Sequence, residues 1–158
     1  MTASPRALGL DDLPPIGAAV VTMGVFDGVH LGHRAILSAT ERAAAEGGAR
    51  SVALVFDPPP DELLQPRSVV ARLAPLDVNL SRIEGLGVRA VPIRFDDSLR
   101  ELTAKAFLEA LAPRIEVRGL AMSRRSAFGR DRGGTVERKE ELGAVRGFSV
   151  IVVEQLEV

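Results

Sequence analysis

The two histidines of this chain lie in one glycine-rich segment, which reads Gly24-Val25-Phe26-Asp27-Gly28-Val29-His30-Leu31-Gly32-His33. An imidazole has an unperturbed pKa of about 6.5, so near pH 7 it supplies a neutral or a cationic hydrogen-bond donor. Such donors can align phosphates and stabilise developing charge. In isolation, a pair with this spacing would more often only satisfy a local turn.

The neighbouring residues predict how this segment is positioned. An apolar run at residues 18–23 predicts a strand before it, and residues 34–45 predict a helix after it. The first N–H groups of a helix lack internal partners, and the helix dipole adds partial positive charge there, so the junction suits a phosphate group. Gly24, Gly28 and Gly32 permit tight backbone geometry and close approach of a ligand.

Other motifs fit this segment less well. A zinc site needs further ligands, and the chain has no cysteine and no third histidine. The glycine spacing matches neither GxGxxG nor GxxxxGK[ST]. Phe26 is interpreted as a core side chain that holds the turn, whereas Asp27 could cap the turn or orient a ligand or metal.

The rest of the chain predicts an α/β fold. Near-continuous, β-branched apolar runs predict five strands at residues 18–23, 51–56, 88–95, 115–122 and 148–153. Helices are predicted at residues 34–45, 78–85, 103–111 and 136–142, with Thr103 as an N-cap. Gly47-Gly48 and Gly85-Leu86-Gly87 are expected to end helices in left-handed conformations. The alternation predicts a doubly wound parallel sheet.

Ligands of such sheets bind beyond the carboxyl ends of the strands. A segment rich in glycine, proline or polar residues follows each of the first four predicted strands, at residues 24–33, 57–60, 95–97 and 123–134. The sequence therefore predicts a site at this edge of the sheet.

Composition limits the classes of function. The chain has 158 residues, which favours one domain, and a net charge of −1, which gives no reason to expect nucleic acid or a membrane surface as partner. No apolar run approaches the roughly 20 residues that span a bilayer. The N-terminus has no secretory h-region, so a cytoplasmic location is expected.

The pattern Gly-x-Phe-Asp-Gly-x-His-x-Gly-His resembles the signature of the nucleotidyltransferase superfamily, and in detail the FMN adenylyltransferase module of bacterial bifunctional riboflavin kinase/FAD synthetases. The resemblance implies a Rossmann-like five-stranded sheet with an HxGH turn. It implies transfer of AMP from ATP to FMN, which yields FAD and pyrophosphate, with Mg²⁺ as the metal cofactor. His30 and His33 would be catalytic, and the nucleotide would contact Gly24, Val25, Phe26, Asp27, Gly28 and Gly32.

Later segments resemble the family in part. Phe56-Asp57-Pro58 and Phe128-Gly129-Arg130 match and are candidate substrate-binding residues. Four positions depart from the usual pattern: Pro59 replaces a histidine, Ser123 a glycine, Arg125 an aspartate and Ser126 a phenylalanine.

The resemblance also defines expected boundaries, with an N-terminal extension at residues 1–15 and the nucleotidyltransferase domain at residues 16–158. A later Ser-Ser-Thr-x-Ile-Arg segment and the riboflavin kinase domain of the family are not part of this sequence. The alternatives to an FMN adenylyltransferase are a truncated or catalytically impaired relative that binds a nucleotide or flavin, and a transferase for another phosphorylated acceptor.

Overall fold

A computed structural model describes residues 7–29, 31–57, 74–123 and 136–153. Five strands form one sheet in the order β3-β2-β1-β4-β5, and each neighbouring pair is parallel. The strands are β1 (Gly17–Gly24), β2 (Arg50–Asp57), β3 (Arg89–Arg94), β4 (Ile115–Ser123) and β5 (Ser149–Val153). All five predicted strands are confirmed, because buried parallel strands leave a continuous apolar signal.

Helices connect the strands. They are α1 (Leu31–Gly47), α2 (Leu76–Glu84), α3 (Asp97–Arg100), α4 (Ala104–Leu111) and α5 (Val136–Arg146). The four predicted helices are confirmed, and the hydroxyl of Thr103 accepts a hydrogen bond from the Ala106 N–H at 3.1 Å, as expected of an N-cap. The short α3 and a 3₁₀ turn at Leu10–Asp12 were not predicted.

The core lies on both faces of the sheet, as a doubly wound fold requires. One face packs Leu37 of α1 and Ile83 of α2 against Ala53 and Val55 of β2. The other face is covered by α4 and α5, whose buried apolar side chains belong to a cluster with residues of β1, β2 and β4. The sheet is therefore shielded on both sides, and its strand ends are left to form a site.

Glycines end two of the helices in left-handed conformations. Gly48 after α1 has a φ of 65° and Gly87 after α2 has a φ of 86°. The same expectation was wrong for Gly47, which is the last residue of α1, and for Gly85, which has a φ of −63° and continues the helical conformation. The chain reverses two residues later, so only Gly87 needs the freedom of a residue without Cβ.

Part of the predicted N-terminal extension packs on the domain. Leu8 forms a parallel bridge with Ile93 of β3, and Leu13 is buried in the core. Arg114 donates hydrogen bonds to the carbonyl groups of Asp11 and Leu13, at 2.9 and 3.4 Å. Among the described residues, no helix is long and apolar enough to cross a membrane.

Candidate nucleotide-binding site

The segment between β1 and α1, residues 25–30, is called here the β1–α1 turn. β1 ends at Gly24 and α1 begins at Leu31, so the predicted strand, turn and helix follow one another as expected. His33 lies in the first turn of α1, whereas His30 lies outside the described residues. The first turn of α1 contains no acidic residue, so no carboxylate there opposes the binding of an anion to the helix N-terminus.

Two buried non-glycine residues of the turn adopt left-handed conformations. Phe26 has a φ of 53° and Val29 a φ of 48°. Each is only 3% exposed, and both side chains pack in the cluster that contains Leu37 and Ile83. The interpretation of Phe26 as a core side chain is confirmed. The two buried side chains anchor the turn to the core, and the backbone between them lies at the carboxyl end of β1.

His33 is held against this anchor. The rings of Phe26 and His33 pack edge to face, with centroids 5.3 Å apart and an angle of 62° between the planes. The side chain of His33 is partly exposed, while its Nδ1 atom is buried. The imidazole is therefore fixed by packing on one side.

The carboxylate of Asp27 holds the turn to the start of α2. Its Oδ1 atom accepts one hydrogen bond from the Ala74 N–H and one from the Nδ2 of Asn79, each at 3.1 Å. The sequence left two roles open for Asp27, capping the turn or orienting a ligand or metal. The two hydrogen bonds to Oδ1 favour the first role, in which the carboxylate stabilises the turn. Its contact with a nucleotide stays a prediction.

Gly28 is bound by α2 through both of its backbone polar groups. Its N–H donates to Oδ1 of Asn79 at 3.0 Å, and its carbonyl accepts from Arg82 at 3.3 Å. Its φ of 77° is left-handed, which explains why a glycine is needed there.

The other two glycines of the motif differ from Gly28. Gly24 is less constrained, because an added Cβ would meet only the Phe26 ring at ordinary contact distance, 3.4 Å. Gly32 is buried in the first turn of α1.

Sequence reasoning missed the role of α2 in this site. Asn79 and Arg82 contact the turn from about fifty residues further along the chain. One signal was present: Leu76, Leu80 and Ile83 have the spacing of a buried helix face, and Asn79 lies on that same face. A polar residue on an apolar face requires a buried partner, and here the partner is the β1–α1 turn.

The other strand ends lie at the same edge of the sheet, since all strands are parallel. Gly24 is in register with Val55, and Asp57 with Arg94. Phe56 packs edge to face on Phe95, with ring centroids 5.5 Å apart. Phe56 and Asp57 thus continue β2 beyond the point at which its neighbour β1 ends, at this edge of the sheet.

Several residues named from the sequence lie outside the described part of the chain: Pro58, Phe128, Gly129 and Arg130, and also Pro59, Arg125 and Ser126. Ser123 is the last residue of β4 and pairs with Val153 of β5. After β3, the side chain of Asp96 accepts a hydrogen bond from the Leu99 N–H at 2.9 Å and so caps α3.

The described part of the chain contains no cluster of potential metal ligands: no group of three or more His, Cys, Asp or Glu side chains there could hold a metal ion. Mg²⁺ does not need such a group, because it keeps several waters and is commonly bound by substrate phosphates with one or two carboxylates.

Comparisons with known proteins identify the family of the chain. A model of the FAD synthetase family matches residues 15–158. A bifunctional riboflavin kinase/FMN adenylyltransferase from Pseudomonas fluorescens is 35% identical over 153 residues, which cover 95% of this chain and 49% of that protein. A protein of the same description from Escherichia coli (strain K12) is 33% identical over 138 residues, which cover 86% of this chain and 44% of that protein. The chain spans about half the length of the curated relatives it matches.

One solved structure has the same fold over the whole chain. It is described as a macrolide-efflux protein from Streptococcus pneumoniae, and it superposes with a TM-score of 0.83 at 21% identity. The likeness covers 100% of this chain and 53% of that one. At this identity the likeness concerns the fold alone.

Proposed function

Because the chain belongs to the FAD synthetase family, we propose that it is a nucleotidyltransferase that forms FAD and pyrophosphate from FMN and ATP. The observation that carries this proposal is the β1–α1 turn, which leads from the end of a buried strand into a helix N-terminus with His33 in its first turn. Free N–H groups, the helix dipole and an imidazole converge there, and this combination suits a polyphosphate.

The proposed reaction is an in-line displacement at phosphorus. A phosphate oxygen of FMN attacks the α-phosphorus of ATP and forms a new P–O bond. The bond from that phosphorus to the oxygen bridging to the β-phosphate breaks, and pyrophosphate leaves with the electron pair. The protein must mainly align the two substrates and stabilise the charge that develops on the phosphates.

His30 and His33 are the proposed donors to the phosphates of ATP. His33 is suited to this role by its place in the first turn of α1 and by its contact with Phe26, which restricts the imidazole. The N–H of Gly28 is directed to Asn79, so the proposed backbone donors are the first N–H groups of α1 instead. Mg²⁺, when bound, would neutralise phosphate charge and be held chiefly by phosphate oxygens and water.

FMN is proposed to bind beside ATP at the same edge of the sheet. Phe56 and Asp57 end the strand next to β1, and this position supports a role in binding the second substrate. Pro58 and the Phe128-Gly129-Arg130 segment are proposed for the same role on sequence grounds.

A second candidate function is binding of a nucleotide or flavin without catalysis. Ser123, at the carboxyl end of β4, favours it because the family resemblance places a glycine there. A side chain at the edge of the sheet narrows the space for a ligand. A transferase acting on another phosphorylated acceptor is the remaining alternative.

The test measures binding and turnover separately. ATP with Mg²⁺ is titrated calorimetrically into the chain, and FAD formation from FMN and ATP is followed by chromatography. His30→Ala and His33→Ala should each lower the rate of FAD formation by about 10²–10³, the usual effect of removing one donor to developing charge. Arg42→Ala is the matched control, because Arg42 is exposed in the same helix and lies beyond its first turns.

The outcomes separate the candidates. FAD formation that is slowed by about 10²–10³ in both histidine variants and retained in Arg42→Ala supports the adenylyltransferase. ATP binding without FAD formation favours the non-catalytic relative, and formation of a different adenylylated product favours another acceptor. If the chain does not bind ATP, the nucleotide-binding function is rejected.

A further inference from the structure

Asn79 is a buried amide that connects α2 to the β1–α1 turn. It is 3% exposed, and its Oδ1 accepts from the Gly28 N–H at 3.0 Å. Its Nδ2 donates to Oδ1 of Asp27 at 3.1 Å and to the carbonyl of Ala74 at 3.3 Å. Both ends of the amide are therefore engaged, and two of its three partners belong to the turn.

The turn needs such an external constraint. Phe26 and Val29 both have positive φ angles, which a β-branched or aromatic residue rarely adopts. Conformations of this kind persist only where the surrounding structure holds them. Apolar packing fixes the two side chains, but packing is not directional and does not fix the peptide groups between them.

Hydrogen bonds from α2 fix the orientation of these peptide groups. Asn79 binds the N–H of Gly28, and Arg82 binds its carbonyl at 3.3 Å, so both peptide groups next to Gly28 are oriented from one side. Ala74 joins the same group, because its N–H donates to Asp27 while its carbonyl accepts from Asn79. The result is a closed set of hydrogen bonds on the α2 side of the turn.

We propose that Asn79 is a positioning residue for nucleotide binding: it holds the β1–α1 turn in the conformation that presents His33 and the N-terminus of α1 to the phosphates of ATP. This inference rests on the proposed function, which it deepens by assigning a residue outside the motif. Asn79 does not touch the nucleotide. It acts through Gly28 and Asp27, and the affinity for ATP depends on it because a preorganised site loses less freedom on binding.

The central variant is Asn79→Ala, which removes all three hydrogen bonds and leaves the Gly28 N–H without its acceptor. Asn79→Asp has the same size and keeps that acceptor, but it places a carboxylate against Asp27. Ile83→Val and Ile83→Ala are the matched controls, because Ile83 is a fully buried neighbour on the same helix that makes only apolar contacts with the cluster around the turn. Ile83→Val should lower the stability slightly and Ile83→Ala more strongly, so the two controls give a range of stabilities with which the Asn79 variants can be compared.

Three quantities are measured for each variant of the 158-residue chain. They are the thermal midpoint, the Kd for ATP with Mg²⁺ and the exchange rate of the Gly28 amide by NMR. Asn79→Ala should raise the Kd at least about tenfold, as expected when a buried hydrogen-bonded group is lost. The Gly28 amide should exchange at least about tenfold faster for the same reason.

A merely structural role predicts a different result. Asn79→Ala would then lower the thermal midpoint but keep the Kd within about twofold of an Ile83 variant of equal stability, and that outcome overturns the inference. If Asn79→Ala does not fold, Asn79→Asp is judged by the same criterion of Kd at matched stability.

A failure of the proposed function can be distinguished from a failure of this inference. If the wild-type chain binds no ATP, the proposed function fails, and the Gly28 amide alone tests whether Asn79 holds the turn. Exchange that is unchanged in Asn79→Ala then overturns the positioning role as well. Faster exchange in this variant than in the Ile83 controls supports that role independently of ATP.

Discussion

The ring of Phe26 packs edge to face on the imidazole of His33, with the ring centroids 5.3 Å apart. Phe26 lies near the start of the β1–α1 turn and His33 lies in the first turn of α1, so the contact joins the turn to the helix that follows it. Phe26 is buried at a positive φ, and the conformation of the turn and the orientation of His33 are therefore set together.

Replacing Phe26 should accordingly affect stability and nucleotide binding at once. Phe26→Leu should lower the free energy of unfolding by about 1–2 kcal/mol, because aromatic pairing and packed volume are both lost. It should also weaken ATP binding, measured by calorimetry. Phe107→Leu is the control, since Phe107 is equally buried on α4. A similar loss of ATP affinity in Phe107→Leu would contradict a specific role of Phe26.

Gly28 should tolerate a side chain poorly because of its left-handed backbone. With a φ of 77°, Gly28→Ala should cost about 1–2 kcal/mol of stability, measured by urea unfolding, and should weaken ATP binding. Gly47→Ala provides the comparison, because Gly47 lies in α1 and an added Cβ meets nothing within 4 Å. That change should be neutral or slightly stabilising, and equal losses in the two variants would refute the conformational argument.

Gly143 permits the close packing of α5 on the residue before β5. A Cβ at this position would lie 2.5 Å from the carbonyl oxygen of Phe148, and a backbone atom cannot yield as a side chain does. Gly143→Ala should therefore destabilise the chain by about 1–3 kcal/mol or more, as overpacking does. Gly85→Ala should be neutral or stabilising by up to about 1 kcal/mol, because Gly85 is in a right-handed helical conformation and an added Cβ would meet the carbonyl oxygens of Ser81 and Arg82 at 3.5 Å, an ordinary contact distance. Chemical denaturation of both variants provides the check.

ATP should stabilise the chain through binding to the folded state. At a concentration of about 100 times Kd, ligand binding adds about 2.7 kcal/mol, which corresponds to a rise of roughly 5–10 °C in the melting temperature for a chain of this size. Thermal melts with and without ATP and Mg²⁺ measure the shift. His33→Ala should reduce it strongly, and Arg42→Ala should retain it. An undiminished shift in His33→Ala would place the nucleotide elsewhere.

The fold was largely predictable because its signals are local. Each strand contains a largely apolar run, and α4 carries both a capping Thr103 and an apolar face, so hydrophobic pattern and capping identified them. α3 escaped prediction because four residues are too few for a helical period. Its N-cap, Asp96, was instead predicted to belong to the ligand site at the carboxyl ends of the strands. Gly85 was misjudged because two glycines two residues apart give the same signal, although only one of them reverses the chain.

The sequence by itself determined the position of the β1–α1 turn, the presence of a helix N-terminus after it and the sheet edge at which the other strand ends lie. These features depend on residue type and on spacing between near neighbours. Only the tertiary structure decided what holds the turn. Asp27 and Asn79 are 52 residues apart and meet because α2 packs beside α1 on one face of the sheet. A hydrogen bond between such distant residues depends on the packing of whole elements, and no local pattern in the chain encodes it.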